Sequence, residues 1–299
     1  MKKNDVLTGQ VVDLTHEGHA VVKIDRYPIF IPNALIDETI EYKVIKVKKN
    51  FAIGKLIKVI TESDERVEPP CIYYYKCGGC QLQHMSYQAQ LNMKKEQVVN
   101  LFHRKSNFTN TVIKDTVGME DPWRYRNKSQ IPVGLSKDQQ PIMGFYRQRS
   151  HDIIDMESCL IQDQQHQQVM NDVKQLISEL NISVYNEKTK KGLLRHLVVR
   201  TGHYTNQLMI ILVTNGKAFK QAQVMVDALV RKYPNVTSIK QNINDAHSNV
   251  IMGHQSITLY GEEEIKDQLN EVTFNISDQS FYQINSHQTE KLYQQALDY

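Results

Sequence analysis

Four cysteines are the residues of this 299-residue chain best suited to chemistry. Cys71 and Cys77 have five residues between them, Cys77-Gly78-Gly79-Cys80 is a tight C-x2-C, and 78 residues separate Cys80 from Cys159. Thiolates two residues apart reach one metal centre, and intervening glycines let the backbone curl around it. Three thiolates from one segment and a distant fourth would clip two stretches of chain together. Several chemistries fit. Structural zinc with four cysteines usually uses two C-x2-C knuckles, and here there is one. A thioredoxin-like redox pair leaves Cys71 and Cys159 without a role. An iron–sulfur cluster of the [4Fe–4S] type takes four thiolates and tolerates irregular spacing with a remote ligand. Unligated core cysteines are the plain alternative. The eleven histidines add nothing, because none recurs at H-x3-H spacing beside the cysteines.

The elements that must position these residues fall into blocks. Residues 1–60 read as short β-rich runs, Val6–Leu14, Ala20–Ile24, Tyr27–Ile31, Thr39–Val47 and Phe51–Ile60, separated by turn signals. Five such strands predict a small barrel of OB type. Its last part carries Lys43, Lys46, Lys48, Lys49, Lys55 and Lys58 around Phe51 with no acid among them. A basic, aromatic-bearing strand pair suits single-stranded nucleic acid; an ordinary solvated lysine face is the alternative. Residues 61–70 are polar, end in Pro69-Pro70 and read as a linker. Residues 71–277 form an α+β central domain bearing the cysteines. Its expected helices are 87–104, with Ser86 as N-cap, Gln164–Leu180 and Gln221–Lys232. Its clearest expected strands are Leu193–Arg200, Gln207–Thr214, Val236–Gln241, Ser256–Tyr260 and Glu271–Ser277. A last amphipathic helix covers His287–Tyr299.

With these blocks in view, the sequence resembles the RNA uracil-5-methyltransferases. The likeness rests on Cys71-x5-Cys77-Gly78-Gly79-Cys80-Gln81-Leu82-Gln83-His84 followed by Cys159, on Arg124-Tyr125-Arg126-Asn127-Lys128, on Gly144-Phe145-Tyr146-Arg147 and on Ser280-Phe281-Tyr282-Gln283-Ile284-Asn285, all in the family's order. The resemblance implies an N-terminal TRAM domain, a [4Fe–4S] cluster on Cys71, Cys77, Cys80 and Cys159, and methylation of uracil C5 in RNA, 23S ribosomal RNA above transfer RNA, with S-adenosyl-L-methionine as donor. It places Gln283 against S-adenosylmethionine and Phe281 against the flipped base. Lys46, Lys48, Lys49, Arg124, Arg126, Lys128 and Arg147 become RNA contacts, since cations interleaved with aromatics suit phosphate and base.

Uracil C5 methylation needs a nucleophilic thiol, a general base and a flipped base. If all four cysteines hold the cluster, no thiol remains, and the resemblance puts the nucleophilic Cys and the general-base Glu beyond Tyr299. No glycine-rich cofactor loop is visible. The sequence therefore predicts a multidomain chain whose residues 278–299 are only the start of a Rossmann-like α/β methyltransferase domain, with the 87–104 helix packing on that domain, and a chain inactive by itself. A non-catalytic iron–sulfur RNA-binding module is the alternative.

Composition bounds the rest. Hydrophobic residues are 40% and charged residues 23%, a globular balance. No apolar run approaches the roughly 20 residues that span a bilayer, and Met1-Lys2-Lys3-Asn4-Asp5 leads into no signal-peptide core. A cytoplasmic protein with no membrane association and no obligate protein partner is expected. The formal charge of +3 hides an asymmetry: residues 262–299 hold eight acids against two lysines, −6, leaving +9 on the rest. A basic body points weakly to a polyanion.

Overall fold

Alternating apolar and polar residues from Val6 to Thr61 fold into one six-stranded sheet in the computed structural model, which describes residues 1–105 and 111–299. The strands are β1 (Val6–Gln10), β2 (Asp13–Leu14), β3 (Ala20–Ile24), β4 (Tyr27–Ile31), β5 (Thr39–Val47) and β6 (Ala52–Thr61), in the order β1-β5-β6-β4-β3-β2. Edge strand β1 also lies against β3, so the sheet curls back on itself. Ala20, Val22, Ile29, Ile31, Ile40, Tyr42 and Val44 point inward, while Lys43 faces solvent between two buried neighbours. Strands β3, β4 and β5 lie where the apolar runs place them. The run Val6–Leu14 breaks at Val11 and Val12, because Val11 turns into the core and its backbone pairs with Glu38 and Asp37.

One buried charge organises this barrel. Glu38 is fully buried, and its carboxylate accepts from Leu35 N (2.8 Å), Arg66 Nε (2.5 Å) and Arg66 Nη2 (2.8 Å). Arg66 also donates to the Asn33 carbonyl at 3.0 Å. The 61–70 segment is thus pinned to the barrel by a bidentate ion pair, the arrangement that makes a buried pair tolerable. Asp37 sits at φ 69°, a left-handed position that favours glycine. The cysteine segment follows. Buried Tyr74 donates its hydroxyl to Gln81 O (2.7 Å) and lies 2.6 Å from His84 Nδ1. Ser86 caps α1 (Tyr87–Lys105) by accepting from Ala89 N at 3.2 Å, as its position suggests. Contacts divide the described chain into two units, Met1–Gly118 and Met119–Tyr299, so the cysteine loop and α1 belong with the barrel.

The second unit is built on a seven-stranded sheet. Its strands are β7 (Lys128–Leu135), β8 (Pro141–Tyr146), β9 (Ile153–Asp155), β10 (Leu194–Thr201), β11 (Leu208–Thr214), β12 (Val236–Ile243) and β13 (Gln255–Gly261), ordered β13-β12-β11-β10-β7-β8-β9. Only β11 and β12 are parallel, and α3 (Ala222–Lys232) crosses between them. Leu197, Val199, Ile210 and Leu212 face α3 and α2 (Gln164–Glu179), which contribute Val169, Val173, Ile177, Met225 and Leu229. Val198, Met209, Ile211 and Val213 face the opposite way, against the hairpin β14 (Ile265–Leu269) and β15 (Val272–Ile276). Burial on both faces explains why β10 and β11 are buried at every position.

Residues 278–299 group with the second unit by their contacts. They continue the second unit: α4 (Ser286–Asp298) follows a segment tied to β7 and β10, and Asn285 caps that helix by accepting from Gln288 N at 3.1 Å. Among the described residues no helix is long and apolar enough to cross a membrane.

Two outcomes follow from the packing. Glu38→Ala strands the Arg66 guanidinium in the barrel and should cost about 3–5 kcal/mol in urea unfolding, while Glu38→Leu with Arg66→Met should recover most of it. Burial holds His166 neutral and pulls its pKa down to about 4 between Ser129 and Thr201. The unfolded chain, titrating near 6.5, binds that proton first. Stability is therefore complete above pH 6.5 and falls as pH drops through 4, by roughly 3 kcal/mol for this residue. His166→Gln should flatten that slope in unfolding curves taken between pH 4 and 7.

Candidate RNA and cofactor site

In the second unit, two blocks that stand far apart in sequence are joined. Residues 124–128 run into β7, and residues 277–286 pass beside them. The Asn127 side-chain amide donates to Gln283 O at 2.8 Å and to Ser286 Oγ at 3.0 Å, and Asn127 N donates to Ile284 O at 3.0 Å. From the next strand, buried Arg200 donates to Ser277 O at 2.8 Å and to Ser280 O. Tyr282 donates to Asp267 Oδ2 at 2.9 Å and packs on Phe274. The backbone of 277–286 is fixed at both ends and in the middle.

This fixed segment presents side chains that the fold itself does not use. Phe281 is 83% exposed, although its neighbours are anchored. The Gln283 side-chain amide has no hydrogen-bond partner among the described residues, so only its backbone is spent on the fold. Beside them lies unbalanced positive charge. Lys128 pairs directly with Arg200 across the β7–β10 ladder. Like charges at such a position repel. Burial, then Arg200 and Arg126, lower the Lys128 pKa, and burial pulls Arg200 down to about 10 with Asp278 opposing. Lys128 has no acid partner among the described residues. A half-buried ammonium between two guanidinium groups is suited to an anionic group such as a phosphate or a carboxylate.

The other expected contacts are distributed. Arg124 is exposed at φ 51°, and its N–H bonds Leu160 O at 2.8 Å, placing it beside the Cys159 turn. Arg126 N bonds Ile161 O at 3.1 Å. Arg147 is exposed in the β8–β9 turn, away from the 277–286 segment in the ladder. Lys46, Lys48 and Lys49 are exposed on the β5–β6 hairpin of the first unit, where Phe51 packs on Phe30 and Tyr27 donates to Lys48 O at 2.6 Å. Lys43 and Lys55 stand directly opposite one another there. Asn127, Arg200 and Tyr282 were not singled out from the sequence. Asn127 stood inside a matched block, but Arg200 ends an apolar strand and carries no local signal.

Cys71, Cys77 and Cys80 lie in the first unit and Cys159 in the second. Among the described residues no three His, Cys, Asp or Glu side chains are grouped to hold a metal ion. Cys77 Sγ instead accepts the Gly79 N–H at 3.3 Å within its own loop. The assignment of the four cysteines as cluster ligands rests on spacing and on the sequence resemblance alone.

No protein-family model matches the chain. It is 74% identical over all 299 residues to a Staphylococcus epidermidis protein named as an uncharacterized RNA methyltransferase, and 71% identical over 297 residues to a Staphylococcus aureus protein of the same name. It spans 66% of the length of each. In structure it is similar to the Pyrococcus abyssi tRNA (uracil-54, C5)-methyltransferase solved with S-adenosyl-L-homocysteine: TM-score 0.74, 26% identity, 97% of this chain and 64% of that one. The likeness to a methyltransferase runs along almost the whole chain, as the matched blocks imply, and it corrects the expected fold class in which residues 278–299 alone represent the start of a methyltransferase fold. Nothing here supports an inactive remnant.

Asn127→Ala removes two side-chain bonds to the 283–286 segment and leaves buried acceptors behind. It should cost about 1–3 kcal/mol in thermal or urea unfolding and raise hydrogen exchange at residues 283–287.

Proposed function

We propose, from this likeness and from the clamped 277–286 segment, that the protein is an RNA methyltransferase that transfers a methyl group from S-adenosylmethionine to C5 of uracil. The observation that carries the reading is an exposed phenylalanine and a partner-free amide on a backbone fixed by Asn127 and Arg200, next to Lys128. S-adenosylmethionine would supply the electrophilic methyl group. In this reading the Gln283 amide bonds the donor, and Phe281 offers a face on which an extruded base stacks. Arg126 and Lys128 take the phosphate or carboxylate that accompanies either ligand. Arg124 and Arg147, with Lys46, Lys48 and Lys49 on the barrel, contact the RNA backbone. Their contribution is electrostatic and independent of sequence, so it falls steeply with salt.

The RNA is the finer part of the proposal. The sequence resemblance favours 23S ribosomal RNA, and the name of the similar Pyrococcus abyssi enzyme favours transfer RNA. Reading the cysteines as cluster ligands rests on their spacing and on the resemblance, and no step is routed through them. Anaerobically purified protein carrying about four iron and four sulfide per chain would establish that reading. Folded protein free of iron would end it.

Deleting the gene should remove 5-methyluridine from one RNA fraction, measured by nucleoside mass spectrometry of separated ribosomal and transfer RNA. An unchanged 5-methyluridine content in both fractions would overturn the proposal. Gln283→Ala should weaken S-adenosylmethionine binding by about tenfold, the loss of one good hydrogen bond to a charged ligand. Phe281→Ala should leave that affinity unchanged and weaken RNA binding by a comparable factor, about 1–3 kcal/mol for one stacked base.

A further inference from the structure

Two histidines outside the proposed site face each other with matching ring nitrogens. His203 lies in the turn between β10 and β11, and His287 is the second residue of α4. Their Nε2 atoms are 3.1 Å apart, and the rings meet edge to face with centroids at 4.5 Å. Both residues are exposed. A divalent ion with about 2.0–2.1 Å bonds to two imidazole nitrogens in tetrahedral geometry sets those nitrogens about 3.3 Å apart. The observed separation is within a few tenths of an ångström of that edge.

The surroundings orient one of the rings for this task. Tyr204 donates its hydroxyl to the Glu290 carboxylate, and the same hydroxyl oxygen lies 3.5 Å from His287 Nδ1. A hydroxyl that gives its proton to Glu290 keeps lone pairs for an Nδ1–H. His287 is then the Nδ1–H tautomer, and its Nε2 lone pair points at His203. Ligating histidines are commonly held in this way, with the second ring nitrogen donating to an oxygen. Glu290 is itself held, because its other oxygen accepts from Asn270 N at 3.1 Å. The Tyr204 backbone N–H is fixed by Asp267 Oδ1 at 2.9 Å. The carboxylates of Asp267 and Glu290 both lie close enough to act on His203. They favour a cation there. Without a metal, His203 Nε2–H donates to His287 Nε2. With one, His203 carries its proton on Nδ1 and both Nε2 lone pairs are free.

We infer that His203 and His287 form a two-imidazole site for a first-row divalent cation such as Ni2+ or Zn2+, with water completing the coordination shell. Among the described residues no third His, Cys, Asp or Glu joins the pair, which makes it an open, exchangeable site rather than a closed structural one. Imidazole nitrogen suits zinc, nickel and copper, not magnesium or calcium. Occupation ties the β10–β11 turn to the first turn of α4, two residues beyond the Asn285 cap and four beyond Gln283. The site therefore acts on the segment that presents Phe281 and Gln283 without touching either. The inference does not depend on the proposed methyltransferase activity.

Titrating the full chain with Ni2+ in a calorimeter at pH 7.5 tests this directly. Cysteine thiols also take nickel, so the readout is the difference between proteins. Wild type should bind one more equivalent than His203→Ala and one more than His287→Ala. Tyr204→Phe should keep the equivalent but weaken it about tenfold, since the hydroxyl only positions the ring. Both alanine variants replace exposed side chains, and their metal-free melting curves should match wild type. Equal stoichiometry in wild type and both alanine variants would overturn the inference. So would loss of the equivalent in one variant and not the other, which would mean a single imidazole holds the ion.

Discussion

The arrangement of the second unit depends on a guanidinium taken out of water. Arg200 is 4% exposed at the end of β10, a strand buried along its whole length. A cation there is tolerable only if its protons are used, and two of them go to the carbonyls of Ser277 and Ser280. Those carbonyls belong to a segment with no sheet partner of its own. The donor and the acceptors thus serve each other: two of the guanidinium nitrogens gain acceptors while Nε stays without one among the described residues, and the irregular segment acquires a fixed path. Asn127 completes the path on the β7 side. Phe281 and Gln283 can be spared from the fold because their backbone is held by residues from two neighbouring strands. A functional segment built on irregular backbone is precise only when sheet residues support it in this way.

The same logic separates what was legible in the sequence from what was not. Strands β10 and β11 were plain as continuous apolar runs, and α2 was plain from Val169, Val173 and Ile177 in helical register. Local pattern suffices where an element buries apolar surface. It gave no warning of β7, β8 and β9, whose polar residues are accommodated by side-chain bonds: Ser129 with Gln162 and His166, Asp155 with Met143 N and Lys174. Nor did it suggest the partnership of Asn127 with residues 156–159 positions later, because a long-range hydrogen bond leaves no periodic trace. Matched blocks located the candidate residues. Only the fold shows that 124–128 and 281–285 are neighbours.

The acidic end reads differently once folded. Eight acids within residues 262–299 suggested an acidic terminus set against a basic body. In the structure Glu263 and Asp278 close on the buried Lys240 ammonium at 3.1 and 3.2 Å, Asp267 takes the Tyr204 amide and the Tyr282 hydroxyl, and Glu290 takes Tyr204 and Asn270. Half of that negative charge is committed to holding the hairpin and α4 in place. The positive charge is not committed in the same way. Lys128 stands against Arg200, and Lys43 stands against Lys55 with no acid bound to either of that pair. Cross-strand like charges cost a few tenths to about 1 kcal/mol each.

That imbalance is the physical argument for a polyanionic ligand. Glu263, Asp267, Asp278 and Glu290 are taken by groups near the hairpin and α4, and none of them pairs with Lys128. Salt-bridged surface lysines would have been the ordinary outcome, and Lys95, Lys174 and Lys232 show it, each with an aspartate at 3.0 Å or less. Lys43, Lys46, Lys48, Lys49 and Lys55 lack such partners among the described residues, and they lie on one hairpin with Phe51. A chain that leaves its repulsions uncompensated on two faces, and an aromatic ring exposed beside one of them, has stability to regain when phosphates arrive. In the proposed complex with RNA, counterion release would supply the rest of the affinity. In the proposed reading, recognition of the base falls to a neutral group of the clamped segment, the Phe281 ring, because the cations around it cannot tell one sequence from another.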